Sequence, residues 1–161
     1  MTINVGDTMP EGVLVTMGAD GPSPVSSADL FNGKKVVLFG LPGAFTPTCS
    51  ANHLPSYVES ADALHAKGVD TIACMSVNDP FVMNAWGKDQ NVGDAVMMLA
   101  DGSADYAKAL GLEIDLTARG MGVRATRFSL VVEDGKVTAV NVEPNPGVME
   151  VSGAATVLDQ V

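Results

Sequence analysis

KVVLFGLPGAFTPTCS, residues 35–50, is the stretch that decides the fold. Lys35 to Gly40 is β-branched and, after the lysine, continuously apolar, as expected of a strand buried on both faces of a helix-covered sheet. Pro42 and Gly43 stop that strand and open a loop. Thr46 is a favoured N-cap residue and Pro47 suits the first helical position, which puts Cys49 in the first turn of the next helix. Free backbone N–H groups and the helix dipole stabilise an anion there, so a thiol at this place ionises more readily than usual. A junction of buried strand, loop and capped helix is where α/β folds put their chemistry.

Working outward, Leu54, Tyr57, Val58, Ala61 and Leu64 recur at helical intervals, and Gly68 closes the helix. Val69 to Val77 reads as the next strand, Pro80 to Lys88 as a short helix, Ala95 to Ala100 as a strand and Asp101 to Leu110 as a helix. Alternation of this kind implies parallel pairing with right-handed crossovers. Thr126 to Glu133 and Lys136 to Val142 flank Asp134-Gly135, a strong signal for a tight antiparallel hairpin. Ser152 is expected to cap a last helix, GAATVLDQV. Upstream, Val13 to Met17 is the only strand expected, because the glycines and prolines of GADGPSP stop regular structure. The resulting α/β layout is a mixed central sheet flanked by helices, with a short N-terminal β extension. It resembles thioredoxin-like domains.

The chain has 161 residues, 47% hydrophobic and 17% charged, enough for one sizeable core and too few for two ordinary domains. One domain over residues 1–161 is expected. The longest apolar stretch, Val36 to Phe45, is broken by Gly40, Pro42 and Gly43 and is too short to span a bilayer. The N-terminus lacks a basic, apolar leader, so a cytoplasmic location is expected. Nineteen acidic against nine basic residues give a net charge of −10, which disfavours nucleic acid and anionic membrane surfaces as partners. The two cysteines do not make a disulfide framework and are read separately. Cys49 and His53 stand four apart on a helix, but a structural zinc site needs four ligands, and only Cys74 and His65 remain as usual donors. No metal is expected, and His53 is read as a structural residue near the site.

PGAFTPTCS (42–50) closely resembles the active-site loop of the peroxiredoxins, in their five-type, or type II, branch. Four further stretches resemble the same branch: His53-Leu54-Pro55; Ser76 to Met83 with Trp86-Gly87; Arg127-Phe128-Ser129 leading to Val132-Glu133-Asp134-Gly135; and Glu150 to Ala154. The similarity runs through the whole chain in order. It implies a thiol peroxidase without metal, haem or flavin, acting on hydrogen peroxide and alkyl hydroperoxides, and it implies a homodimer. Cys49 matches the peroxidatic cysteine, whose thiolate attacks the peroxide and becomes a sulfenic acid. Thr46 matches the threonine that bonds thiolate and peroxide, Pro42 the proline that shields the thiolate, and Arg127 the arginine that keeps it ionised. Backbone N–H groups of Thr48 and Cys49 are the expected further donors.

Arg124 competes with Arg127. On one extended strand, residues three apart face opposite sides, so at most one could reach the site, and the resemblance selects Arg127. Thr46 stands where a CxxC motif has its first cysteine, which disfavours a general disulfide oxidoreductase. A redox sensor or chaperone-like protein switched by Cys49 oxidation would use the same thiolate. For the sulfenic acid, some relatives carry a resolving cysteine near the C-terminus, and residues 75 to 161 hold none. Cys74, within an apolar strand, reads as core. The expected cycle therefore uses one cysteine and is reset by glutathione and glutaredoxin, with thioredoxin as the other candidate donor.

Overall fold

The computed structural model describes residues 1–161. In chain order the strands are β1 (Val13–Gly18), β2 (Gly21–Ser26), β3 (Lys35–Gly40), β4 (Thr71–Ser76), β5 (Met97–Ala100), β6 (Glu113–Leu116), β7 (Gly122–Ala125), β8 (Phe128–Glu133) and β9 (Lys136–Val142). The helices are α1 (Ser27–Phe31), α2 (Leu54–Ala66), α3 (Pro80–Asp89), α4 (Asp105–Leu110) and α5 (Ala154–Leu158). Seven strands form one sheet in the order β2-β1-β5-β4-β3-β8-β9, and β6 pairs with β7 alone. β3 runs parallel to β4 and β4 to β5, while β8 and β9 are antiparallel. This mixed sheet between helices is the thioredoxin-like layout.

β3 is central because both of its faces are apolar. Val37 and Phe39 point into a core shared with Leu54, Tyr57 and Leu64 of α2, Trp86 of α3 and Val157 of α5. Val36 and Leu38 point into the opposite core, with Phe31 of α1 and Leu110 of α4. β4 divides likewise, Ile72 and Cys74 joining the first core and Ala73 and Met75 the second. The parallel strands β3 and β4 thus end together at Gly40 and Ser76, beside the loop that leads to Cys49. The hairpin turn has Asp134 and Gly135 both left-handed, at φ 47° and 78°, as a two-residue turn between twisted strands requires.

The structure departs from expectation in several places. GADGPSP does not end regular structure: Gly21 to Ser26 is β2, paired with β1 through Leu14–Val25 and Thr16–Ser23. Its prolines are tolerated because β2 is an edge strand. α1 and the β6–β7 ribbon give too little periodic signal in four or five residues to be read. α4 starts four residues later than expected. Asp101 is instead its side-chain anchor, accepting from the N–H groups of Tyr106 (3.0 Å) and Ala107 (2.8 Å). Ser152 does not cap α5; Gly153 holds that position, and the serine hydroxyl is drawn to Glu143. No helix is long and apolar enough to cross a membrane.

Candidate active site

Helical backbone begins at Pro47, where the N–H of Ser50 donates to the Thr46 carbonyl at 3.0 Å. Residues Cys49–His53 then widen into a π-helical turn before α2. Such turns recur at functional sites, because one extra residue redirects the side chains. Thr48 and Cys49 lie in the first turn, where N–H groups have no carbonyl one turn earlier to bond. Cys49 is fully buried in the core that contains Phe39 and Tyr57.

Arg127 meets Cys49 from the other side. The strand carrying Arg124 ends at Ala125 and β8 starts at Phe128, so Arg127 sits in the break between them. Its side chain is 2% exposed. Nη2 donates to Cys49 Sγ at 3.1 Å, Nη1 to His53 Nδ1 at 2.9 Å, and Nε to the Pro146 carbonyl at 2.9 Å. The sulfur thus has a buried, charged hydrogen-bond donor directly against it.

His53 is more than filler. Its Nδ1 accepts from Arg127, so its proton is on Nε2, which donates to the Ser152 carbonyl at 3.1 Å. Burial and the adjacent Arg127 charge together lower its pKa to about 3, and the ring is neutral. Tyr57 donates to the same carbonyl at 2.6 Å and stacks on Phe39 with ring centroids 4.0 Å apart. The expectation of a structural residue near the site thus becomes a direct contact with Arg127.

The loop is pinned from two directions. Asn78 Oδ1 accepts from the Ala44 N–H at 3.0 Å and from the Ser76 hydroxyl at 2.6 Å. Arg124 donates from Nη1 to the carbonyl of buried Pro42 at 3.2 Å. A Cβ on Gly43 would stand 2.8 Å from that Nη1, so the glycine admits the guanidinium. Both arginines therefore reach the loop, contrary to the one-strand expectation, because the chain is not extended between them. Thr46 does not reach Sγ by a hydrogen bond: its hydroxyl donates to the Gly43 carbonyl at 2.7 Å, which leaves its lone pairs as acceptors. The Thr48 hydroxyl donates to the Gly147 carbonyl at 2.7 Å.

Sequence reading missed several contributors. Trp86, fully buried as expected of core, also donates to the Ser50 hydroxyl at 3.0 Å, one residue past Cys49. Glu143 accepts at a single oxygen from the N–H groups of Glu150, Val151 and Ser152 and from the Ser152 hydroxyl, at 2.6 to 2.9 Å. No local periodicity announces these pairs: Ser50 and Trp86 lie 36 positions apart, and Glu143 reaches its partners across a stretch without regular structure. Cys74 lies on β4 directly opposite Phe39 of β3, fully buried, and burial pushes its thiol well above the ordinary range. A pocket of about 880 Å³ lies at the other ends of β4 and β5 beside Thr71 and Met97, and none of the residues around Cys49 lines it.

Residues 4–158 match the family model described as Redoxin. Peroxiredoxin-2C of Oryza sativa subsp. japonica is 51% identical over 157 residues, covering 97% of this chain and 96% of that protein. The crystal structure of reduced Prx3 from Vibrio vulnificus, in complex with hydrogen peroxide, superposes with a TM-score of 0.93 at 51% identity and covers 98% of both chains. Peroxiredoxin 5 from Alvinella pompejana superposes with a TM-score of 0.85 at 34% identity, over 98% of this chain and 97% of that one. Matched in sequence and backbone along nearly its whole length, the chain belongs to the redoxin family, as a thiol peroxidase of its peroxiredoxin branch.

Proposed function

We propose that residues 1–161 act as one domain that reduces hydrogen peroxide and small alkyl hydroperoxides through Cys49, in a one-cysteine cycle reset by glutathione and glutaredoxin. The observation that carries this reading is the 3.1 Å contact from Arg127 Nη2 to Cys49 Sγ in the first turn of a helix. The Cys49 thiolate attacks the terminal peroxide oxygen. An S–O bond forms as the O–O bond breaks, and water or alcohol leaves after the departing oxygen takes up a proton. Arg127 and the N–H groups of Thr48 and Cys49 face the charge that moves from sulfur to oxygen. Thr46, its hydrogen committed to Gly43, offers lone pairs to the peroxide O–H. Buried Pro42 screens the sulfur from water. The complete burial of Cys49 favours small peroxides over bulky ones.

Glutathione then condenses with the sulfenic acid, releasing water, and glutaredoxin removes the glutathionyl group. The buried, un-ionised state of Cys74 supports an external thiol as the resolving group. A homodimer is supported by exposed apolar side chains on the loop and on the segments tied to it: Phe45, Phe81 of α3 and Val148 beside Gly147. Two free cysteines and no disulfide fit the reducing cytoplasm. Steady-state peroxide consumption with glutathione plus glutaredoxin, compared with thioredoxin, tests activity and donor together. Cys49→Ser is expected to abolish turnover with the fold intact. Multiple turnovers by the parent exclude a sensor that reacts once, and full activity of the serine variant defeats the proposal.

A further inference from the structure

Between the end of β9 and the start of α5 the chain runs without regular structure through Pro144-Asn145-Pro146-Gly147-Val148-Met149-Glu150-Val151-Ser152. This strap supplies three carbonyls to the site: Pro146 to Arg127 Nε, Gly147 to the Thr48 hydroxyl, and Ser152 to His53 Nε2 and Tyr57. Pro146 and Gly147 are stiffened only locally, by Asn145 accepting from the Gly147 N–H at 2.9 Å. The far end is tied by Glu143, which is 2% exposed and stands just before the strap begins. One carboxylate oxygen, Oε2, gathers the N–H groups of Glu150, Val151 and Ser152 and the Ser152 hydroxyl. The Glu143 N–H meanwhile donates to the Arg127 carbonyl at 3.0 Å, fixing the anchor to the residue it serves.

We propose that Glu143 is a positioning residue for peroxide reduction, closing the strap whose carbonyls orient Arg127, His53 and Thr48 around Cys49. The inference rests on Cys49 and Arg127 carrying the reaction as proposed above. Glu143 acts through amide donors and not through a cation, since the only ion pair of the chain joins Lys35 to Glu133. Burial works against its ionisation, but the Ser152 hydroxyl and the three amides outweigh that cost and hold the carboxyl below its usual range. Loss of the anchor frees nine residues, whose recovered entropy competes with each single hydrogen bond the strap makes to the site. Arg127 and His53 then lose the carbonyls that fix their rotamers, and the sulfur loses a donor held in line with it.

The other carboxylate oxygen makes the test selective. Oε1 is buried and has no hydrogen-bond partner. In Glu143→Gln the amide oxygen can take over the Oε2 contacts while the NH₂ group takes the Oε1 place, where no bond is lost and two buried donors go unpaired at a cost to global stability. Geometry is kept and charge is removed. Single-turnover attack of hydrogen peroxide on the reduced protein is expected to slow at least about tenfold in Glu143→Ala and to stay within about threefold of the parent in Glu143→Gln, since neutral hydrogen bonds are about half as strong as charge-assisted ones. Nitrogen-15 spectra of the imidazole should show the protected Nε2–H of His53 in the parent and the Gln variant and its loss in the Ala variant. Val137→Ala, a destabilising change in the opposite core, should keep the parental rate. If Glu143→Ala does not fold, Glu143→Asp, one methylene short of the amides, should show the same slowing. A parental rate with an unchanged His53 signal in Glu143→Ala or →Asp overturns the proposal, as does a Gln variant as slow as Ala. Cys49→Ser separates the two readings: an active serine variant defeats the site itself, whereas an inactive one beside a parental Glu143→Ala defeats only the anchor.

Discussion

Arg127 donates from Nη1 to Nδ1 of His53 across 2.9 Å, so the guanidinium that faces Cys49 is held by an imidazole that must be neutral to accept it. The same cation could not sit there beside an imidazolium, which would present a second donor and a second positive charge. His53 in turn fixes its tautomer on the Ser152 carbonyl. The guanidinium at the Cys49 sulfur is thus oriented through a chain of groups, each using both of its ends.

Arg127→Lys keeps the charge but loses the fork, since a compact ammonium cannot serve Cys49, His53 and Pro146 together. Peroxide attack is expected to slow by about 10- to 100-fold in Arg127→Lys and more in Arg127→Ala, within the range for loss of one preorganised donor. Arg124→Ala, which removes contacts to the Pro42 and Met121 carbonyls and none to Cys49, should cost less than either. Stopped-flow rates with hydrogen peroxide rank the three, and an Arg124 defect equal to that of Arg127 would reverse their assignment.

His53 makes stability depend on pH. Its pKa is lowered to about 3 in the folded chain by burial and the Arg127 charge, against 6.5 for the unperturbed group. Between those values the unfolded state binds a proton that the folded state refuses, so stability falls as pH drops from about 6.5 toward 3. The slope is about 1.4 kcal/mol per pH unit for this one group. Glu143, its carboxyl held low, adds loss in the same direction at the acid end. His53→Gln can accept from Arg127 and donate to Ser152 without titrating. Urea unfolding at pH 6 and pH 4 should show a smaller loss in that variant than in the parent. Parallel losses would mean that His53 is charged in the native chain.

Cys74→Ser should retain glutathione-dependent turnover close to that of the parent, because the Cys74 thiol is buried and its ionisation opposed. Mass spectrometry after one equivalent of peroxide should find glutathione on Cys49. A quantitative Cys49–Cys74 disulfide, with the serine variant stalled as sulfenic acid, would show an internal resolving step instead.

Gly40→Ala should destabilise the chain without touching a reacting group. A methyl at this position, at the end of β3, would run into the Phe128 ring, which is fully buried and paired opposite Gly40 on β8. A rigid ring in a packed core cannot step aside, and overpacking of this kind costs about 1–3 kcal/mol. Thermal or urea denaturation measures the loss. An unchanged midpoint would show that β3 and β8 can separate to admit a methyl.

The central architecture was written in short-range pattern. Lys35 to Gly40, the 54–57–61–64 helical spacing and Asp134-Gly135 each identify their element because burial on two faces, one face or a left-handed turn restricts which residues fit locally. Thr46, Pro47 and Cys49 are legible for the same reason: capping and helix entry are decided within four residues. Where local signals compete, reading failed. GADGPSP carries turn residues, yet pairing to β1 makes it an edge strand. Ser152 has a capping side chain, yet a buried carboxylate claims its hydroxyl. What the sequence by itself determined is the thioredoxin-like layout and a cysteine at a helix start. Only the tertiary structure decided that both arginines reach the loop, why His53 is neutral, and that Glu143 gathers the amides of residues 150–152, because those contacts join residues 74 to 99 positions apart or reach them through buried polar groups. No local periodicity encodes such pairs; they exist once burial has removed water and left each donor with a single partner within reach.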